Sequence, residues 1–118
     1  MSTVKVTYFD KLAVRAAVEQ HARELAARYP EIEEIVLFGS LARGTPVPGS
    51  DADLLIVLCE SDRRFLDRIP AFLPSRFPVG VDVFPYTRAE VERMLREGNP
   101  FLRAALRDGE VLFRRSLA

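Results

Sequence analysis

A chain of 118 residues, 48% hydrophobic and 29% charged, is long enough for one packed core and too short for two ordinary domains, and its composition excludes a disordered or fibrous polymer. Its 17 basic and 17 acidic side chains cancel, so no overall positive field favours a long polyanion, and duplex nucleic acid is not an expected ligand. No apolar run approaches the roughly 18 residues of a membrane span and the first dozen residues lack a basic-then-apolar leader, so the expectation is a single cytoplasmic domain over residues 1–118 with no membrane partner.

In chain order, the first predicted element is a helix from Asp10 to Tyr29, with Val14, Val18, Ala22, Leu25 and Tyr29 at helical spacing, Asp10 as its cap and Pro30 limiting its end. His21 lies at the edge of that stripe and reads as a packed or half-exposed histidine. The stretch "EEIVLFGS", Glu33 to Ser40, is β-branched and apolar and predicts a buried strand. The Pro/Gly-rich "LARGTPVPGS" predicts a loop, with room for a short helical turn after Ser40 and a mobile tip over Thr45 to Gly49. "DADLLIVLCE" predicts a second, central strand with Asp51, Asp53, Leu55 and Val57 on one face and Ala52, Leu54, Ile56 and Leu58 on the other. Cys59, the one cysteine, has no internal partner and reads as a packed or strand-end thiol.

Ser61 is the expected cap of a helix to about Ile69, and the three prolines between Pro70 and Gly80 predict a loop. "VGVDVFPY" predicts a third strand carrying Asp82. Thr87 and Glu90 form a capping box for a helix ending at Gly98. Asn99, Pro100 and Gly109 are the cap, first residue and stop of another helix, and "EVLFRR" is a last strand or extended tail. Met94, Leu95, Phe101 and Leu102 read mainly as core, with an interface for a partner or second copy as the other reading. Strands alternate with helices, but the first connection is poor in helix formers. The expected fold class is therefore α/β or α+β, a small mixed sheet flanked by helices, with its first two strands antiparallel.

The second strand opens with two carboxylates on one face. With Asp82 delivered by another strand, three like charges in a half-buried site need a cation between them. Magnesium fits, because it takes oxygen ligands and shares them with substrate phosphates, and three carboxylates suit two such ions. Gly39 allows a close approach of backbone to a phosphate, to which Ser40 can donate.

The combination "GSLARGTPVPGSDAD", followed later by the acid in "VDVF", resembles the minimal nucleotidyltransferase branch of the DNA polymerase beta superfamily. The resemblance runs from the first helix to Phe113, without departure at the motif positions. It implies a polymerase-beta-type fold in which Gly39 and Ser40 hold a nucleoside triphosphate, Asp51 and Asp53 ligate two Mg²⁺ ions, and Asp82 ligates the catalytic one and helps deprotonate an attacking hydroxyl. Arg43 is left between two roles, reaching the phosphates or bracing Asp51 or Asp53. The implied reaction is transfer of a nucleoside monophosphate, usually AMP from ATP, to a hydroxyl. The implied acceptor is a HEPN-domain toxin that the chain neutralises as an antitoxin. Two other readings are an antitoxin acting by contact alone and a homo-oligomeric transferase of small hydroxyl compounds.

Overall fold

The computed structural model describes residues 4–39, 42, 52–77 and 80–116. The elements are α1 (Val4–Arg28), β1 (Ile32–Phe38), β2 (Ala52–Leu58), α2 (Phe65–Phe72), β3 (Val81–Thr87), α3 (Arg88–Arg96), α4 (Pro100–Asp108) and β4 (Glu110–Arg114). The strands form one mixed sheet in the order β3-β2-β1-β4. As expected, β1 and β2 run antiparallel; β4 is antiparallel to β1, and only β2 and β3 are parallel. Their parallel pairing requires a crossover, which α2 supplies.

Both faces of β2 are covered. Ala52, Leu54, Ile56 and Leu58 pack with Ile35 and Leu37 beneath the α1 stripe of Val14, Val18, Ala22 and Leu25. Leu55 and Val57 pack with Val36 against Val91 of α3 and Leu102 of α4. His21 is packed, its Nε2 donating to the Phe72 carbonyl at 2.8 Å. Cys59 sits just past β2, with its thiol exposed. No helix among the described residues is long and apolar enough to cross a membrane.

Two expected helix starts are corrected. Helix α1 begins at Val4, so Asp10 lies inside it instead of capping it; a single aspartate in a helix interior costs under about 0.7 kcal/mol relative to alanine, too little to stop 25 residues. Ser61 does not cap α2. Its Oγ accepts from the Arg63 amide in a turn, and the helix starts at Phe65 behind Arg64, which makes no side-chain cap bond. The helix then runs through Pro70 to Phe72. Proline there removes the bond to the carbonyl of Leu66, a residue 74% exposed, so water can satisfy that carbonyl while Phe72 is buried in the core.

The α3 capping box forms as expected, with Thr87 Oγ1 accepting from the Glu90 amide and Glu90 Oε1 accepting from the Thr87 amide. Gly98, at φ +77°, closes α3 as its amide donates to Leu95 and the Asn99 amide to Met94. Asn99 then caps α4 by accepting from Leu102 at 3.0 Å. One residue thus ends one helix and starts the next, and this tight corner aims the first turn of α4 at the sheet.

Arg68 of α2 is only 5% exposed. Its guanidinium donates to both oxygens of Glu90 at 2.7 and 3.2 Å, to the Pro85 carbonyl at 3.0 Å and to the Arg63 carbonyl at 2.9 Å. The capping-box carboxylate is therefore shared between α2 and α3. Arg68→Met removes all of these hydrogen bonds, leaving Glu90, among the described residues, with only the Thr87 amide, and the expected cost is about 2 kcal/mol. The hydrogen bonds from Arg68 hold the Glu90 carboxyl below its ordinary value. The resulting stability is fully present above the unfolded glutamate pKa of ~4.3 and is lost as pH falls through the lowered folded value. Urea unfolding at about pH 6 and about pH 3 checks this: the gap between parent and Arg68→Met narrows in acid, and an unchanged gap refutes the coupling.

Candidate active site

Two of the three expected carboxylates, Asp53 and Asp82, fall on the sheet face that α3 and α4 cover. Cross-strand partners share a face, so the register lays out a grid on that side. Phe38, Asp53 and Asp82 form one row across β1, β2 and β3. Val36, Leu55 and Phe84 form the next, and Val57 lies beside Tyr86 in the row beyond. Asp53 and Asp82 are direct register partners on parallel strands, about 4.8 Å apart at the backbone. Asp53 is partly buried and Asp82 is exposed. The pair sits at the mouth of the sheet, where β1 ends and β2 and β3 begin.

Gly39 follows Phe38 at φ +84°. A Cβ built on it would lie 2.4 Å from Oδ2 of Asp53, which no real contact allows. The missing side chain is thus used by the Asp53 carboxylate, which packs against the turn backbone. Sequence reading assigned the glycine to phosphate approach and did not anticipate this contact. Three of the six expected site residues, Gly39, Asp53 and Asp82, are brought together. Ser40, Arg43 and Asp51 lie outside the described residues, as do the loop Thr45 to Gly49 and the helical turn expected after Ser40, apart from Ala42.

Under the acids lies a feature that sequence reading missed. Phe38 and Phe84 come from the strands on either side of β2, so their backbones stand about 9–10 Å apart, yet their ring centroids are 5.6 Å apart. The rings lean toward each other over β2, between Asp53 and the fully buried Leu55. Phe101, in the first turn of α4, meets Phe38 at 5.4 Å and Phe84 at 5.0 Å. The three rings form an apolar arch that separates the carboxylates from the core. Phe38 adjoins Gly39 and Phe84 stands two residues after Asp82, which was the available signal; nothing local points to Phe101.

At the other end of the same face the charges are handled differently. Glu34, 8% exposed, takes Arg88 on one oxygen at 3.2 Å and Arg114 on the other at 3.0 Å, and Arg88 also bonds Glu33 at 3.0 Å. Burial alone would lower the pKa of the Arg88 guanidinium, but its bonds to Glu33 and Glu34 outweigh that and hold it above its ordinary value. Asp82 makes no ion pair among the described residues. Two in-register carboxylates backed by apolar rings are an all-oxygen donor set at a solvent-facing rim, which fits a hard divalent cation such as Mg²⁺. Among the described residues the pair is not part of a larger His/Cys/Asp/Glu group. A groove lined by Tyr29, Leu58, Cys59 and Arg63 opens at the opposite end of β2, away from the acids.

The Nucleotidyltransferase domain family matches residues 18–108, which span every element named here except the first part of α1 and β4. A relative from Methanocaldococcus jannaschii, named as a candidate protein adenylyltransferase, is 29% identical over 89 residues. That match takes in 72% of this chain and 60% of the relative, so the chain spans less than two thirds of that protein's length. A crystal structure of a candidate nucleotidyltransferase from Sulfolobus solfataricus superposes with a TM-score of 0.64 at 22% identity, covering 92% of this chain and 86% of that one. A crystal structure of a toxin–antitoxin pair with AMP-PNP superposes with a TM-score of 0.53 at 20% identity, covering 83% and 74%. These two superpositions establish the likeness of fold, and with a family match over more than half its length, the chain belongs to the nucleotidyltransferase domain family.

Proposed function

We propose that this chain, as one domain over residues 1–118, is a Mg²⁺-dependent nucleotidyltransferase that moves AMP from ATP to a hydroxyl of a partner protein. The observation that carries this reading is the register pairing of Asp53 with Asp82 beside Gly39. In it, Asp53 and Asp82, with Asp51, would hold two magnesium ions, and Gly39 and Ser40 would hold the triphosphate, with Arg43 contributing to it. Bound magnesium supplies charge neutralisation on the phosphates and at the leaving pyrophosphate.

The other parts of the reaction fall to the chain's own residues. The turn and the carboxylate row orient the α-phosphate for in-line attack, and positioning with charge complementarity provides most of the rate in reactions of this type. Asp82, the exposed member of the pair, faces the incoming hydroxyl and accepts its proton. The hydroxyl oxygen then bonds to the α-phosphorus, the bond to the bridging oxygen breaks, and pyrophosphate leaves. The arch of Phe38, Phe84 and Phe101 gives the carboxylates a dry backing that strengthens their interactions with charge.

The acceptor is proposed to be a HEPN-type toxin, with this chain as its antitoxin. The name of the M. jannaschii relative and the fold likeness to a toxin–antitoxin pair support a protein acceptor over a small molecule. The test is incubation with α-labelled ATP, Mg²⁺ and a helical toxin partner encoded beside the chain. Label is expected on the partner, and no label is expected with Asp82→Asn. Neutralisation of the toxin that survives Asp82→Asn would instead establish an antitoxin acting by contact.

A further inference from the structure

The arch over β2 does more than fill space, because its two sheet rings each stand beside one of the two acids. Phe38 is the direct cross-strand partner of Asp53, and Phe84 follows Asp82 by two residues on the same face. Phe101 is the one ring that reaches both from outside the sheet. It is held there by the corner at Asn99, where the end of α3 and the start of α4 are fastened by hydrogen bonds to Met94 and from Leu102.

We infer that Phe101 is a positioning residue for the carboxylate pair: its ring, in contact with both Phe38 and Phe84, holds those two rings in place beside the strand positions of Asp53 and Asp82 and so sets the affinity of the site for a divalent cation. This inference rests on the cation-binding role proposed above for the two acids. The mechanism is steric. Without the ring, Phe38 and Phe84 fall inward over β2 toward the space that Phe101 leaves, and interiors transmit such shifts because they are close-packed. The Asp53 carboxylate lies against the Gly39 backbone, and Phe38, the residue before Gly39, is the direct cross-strand partner of Asp53, so a shift of Phe38 and its strand end moves that carboxylate. Residues that orient metal ligands without touching the metal typically change affinity by about 10–100-fold when removed.

Manganese titration of the intact chain, following the electron paramagnetic resonance of free Mn²⁺, tests this without any turnover. Phe101→Ala is expected to weaken Mn²⁺ binding at least ~10-fold, about 1.4 kcal/mol, and Phe101→Tyr, which keeps the ring, restores it to near the parent. Ala105→Gly loosens the same helix at a buried position one turn beyond Phe101 while leaving the ring in place, and is expected to leave Mn²⁺ affinity within about twofold, although it lowers Tm. Equal affinity of Phe101→Ala and the parent overturns the inference, as does an equal loss in Ala105→Gly, which would reduce the effect to general destabilisation. A parent that shows no Mn²⁺ site removable by Asp82→Asn overturns the proposed cation site itself, and the inference with it.

Discussion

Asp53→Asn is expected to abolish the proposed nucleotidyl transfer, by at least about 10²–10³-fold, the scale of removing one preorganised electrostatic contact at a reacting centre, while the chain remains folded. The side chain stays the same size, keeps one oxygen against Gly39 and loses its charge. That charge stands in register with Asp82 on the same face, and like charges so placed oppose folding when no cation is bound. The change relieves that repulsion, and far-UV circular dichroism without divalent cations is expected to match that of the parent. A linked result is that added Mg²⁺ raises Tm in the parent and has no effect in Asp53→Asn, because a ligand stabilises only the state that binds it. Transfer retained by Asp53→Asn within about tenfold would show that the acid pair is not the reaction site.

Gly39→Ala gives the second large effect, and here stability and activity fall together. At φ +84° a side chain of the natural hand costs about 1–2 kcal/mol. The added methyl carbon would also lie 2.4 Å from Oδ2 of Asp53, so the carboxylate must leave the position the site uses. The expected outcome is a loss of about 2–3 kcal/mol in urea unfolding together with loss of transfer. A double-mutant cycle separates the two costs. Pairing Gly39→Ala with Asp53→Ala relieves the collision and leaves the backbone strain, so the two changes cost less together than the sum of each alone. Strict additivity would show that Gly39 and Asp53 do not touch in solution.

Local grammar carried most of the fold. The capping box at Thr87 and Glu90 and the sequence Asn99-Pro100 are signals within three or four residues, and they appear as read. Alternation in "DADLLIVL" placed Asp53 opposite Ala52 and Leu54, and the poverty of helix formers after Ser40 was consistent with the antiparallel pairing of β1 and β2. Where reading failed, tertiary packing overrode a local cue. Pro70 was read as a loop residue, but burial of Phe72 and the bonds of Arg68 hold the helix through it. Arginine in an amphipathic pattern reads as solvated, and nothing within α2 shows that Glu90, in a later helix, will bury it.

The candidate site was legible for the same reason in part. Two acids at i and i+2 imply a shared face whatever the fold, and a third acid on a neighbouring strand needs only the register to join them. That register, Asp53 against Asp82, is what the structure adds. The contact between Gly39 and Asp53 and the arch of Phe38, Phe84 and Phe101 join residues far apart in the chain, so no spacing rule reaches them.

The most direct measurement is calorimetric titration of the intact chain with a non-hydrolysable ATP analogue, with and without Mg²⁺, beside Asp53→Asn and Asp82→Asn. The expected result is binding that requires Mg²⁺ in the parent and is lost in both variants. Binding that ignores Mg²⁺, or that persists in both variants, or no binding in the parent, would contradict a nucleotide and metal site at the mouth of β1, β2 and β3.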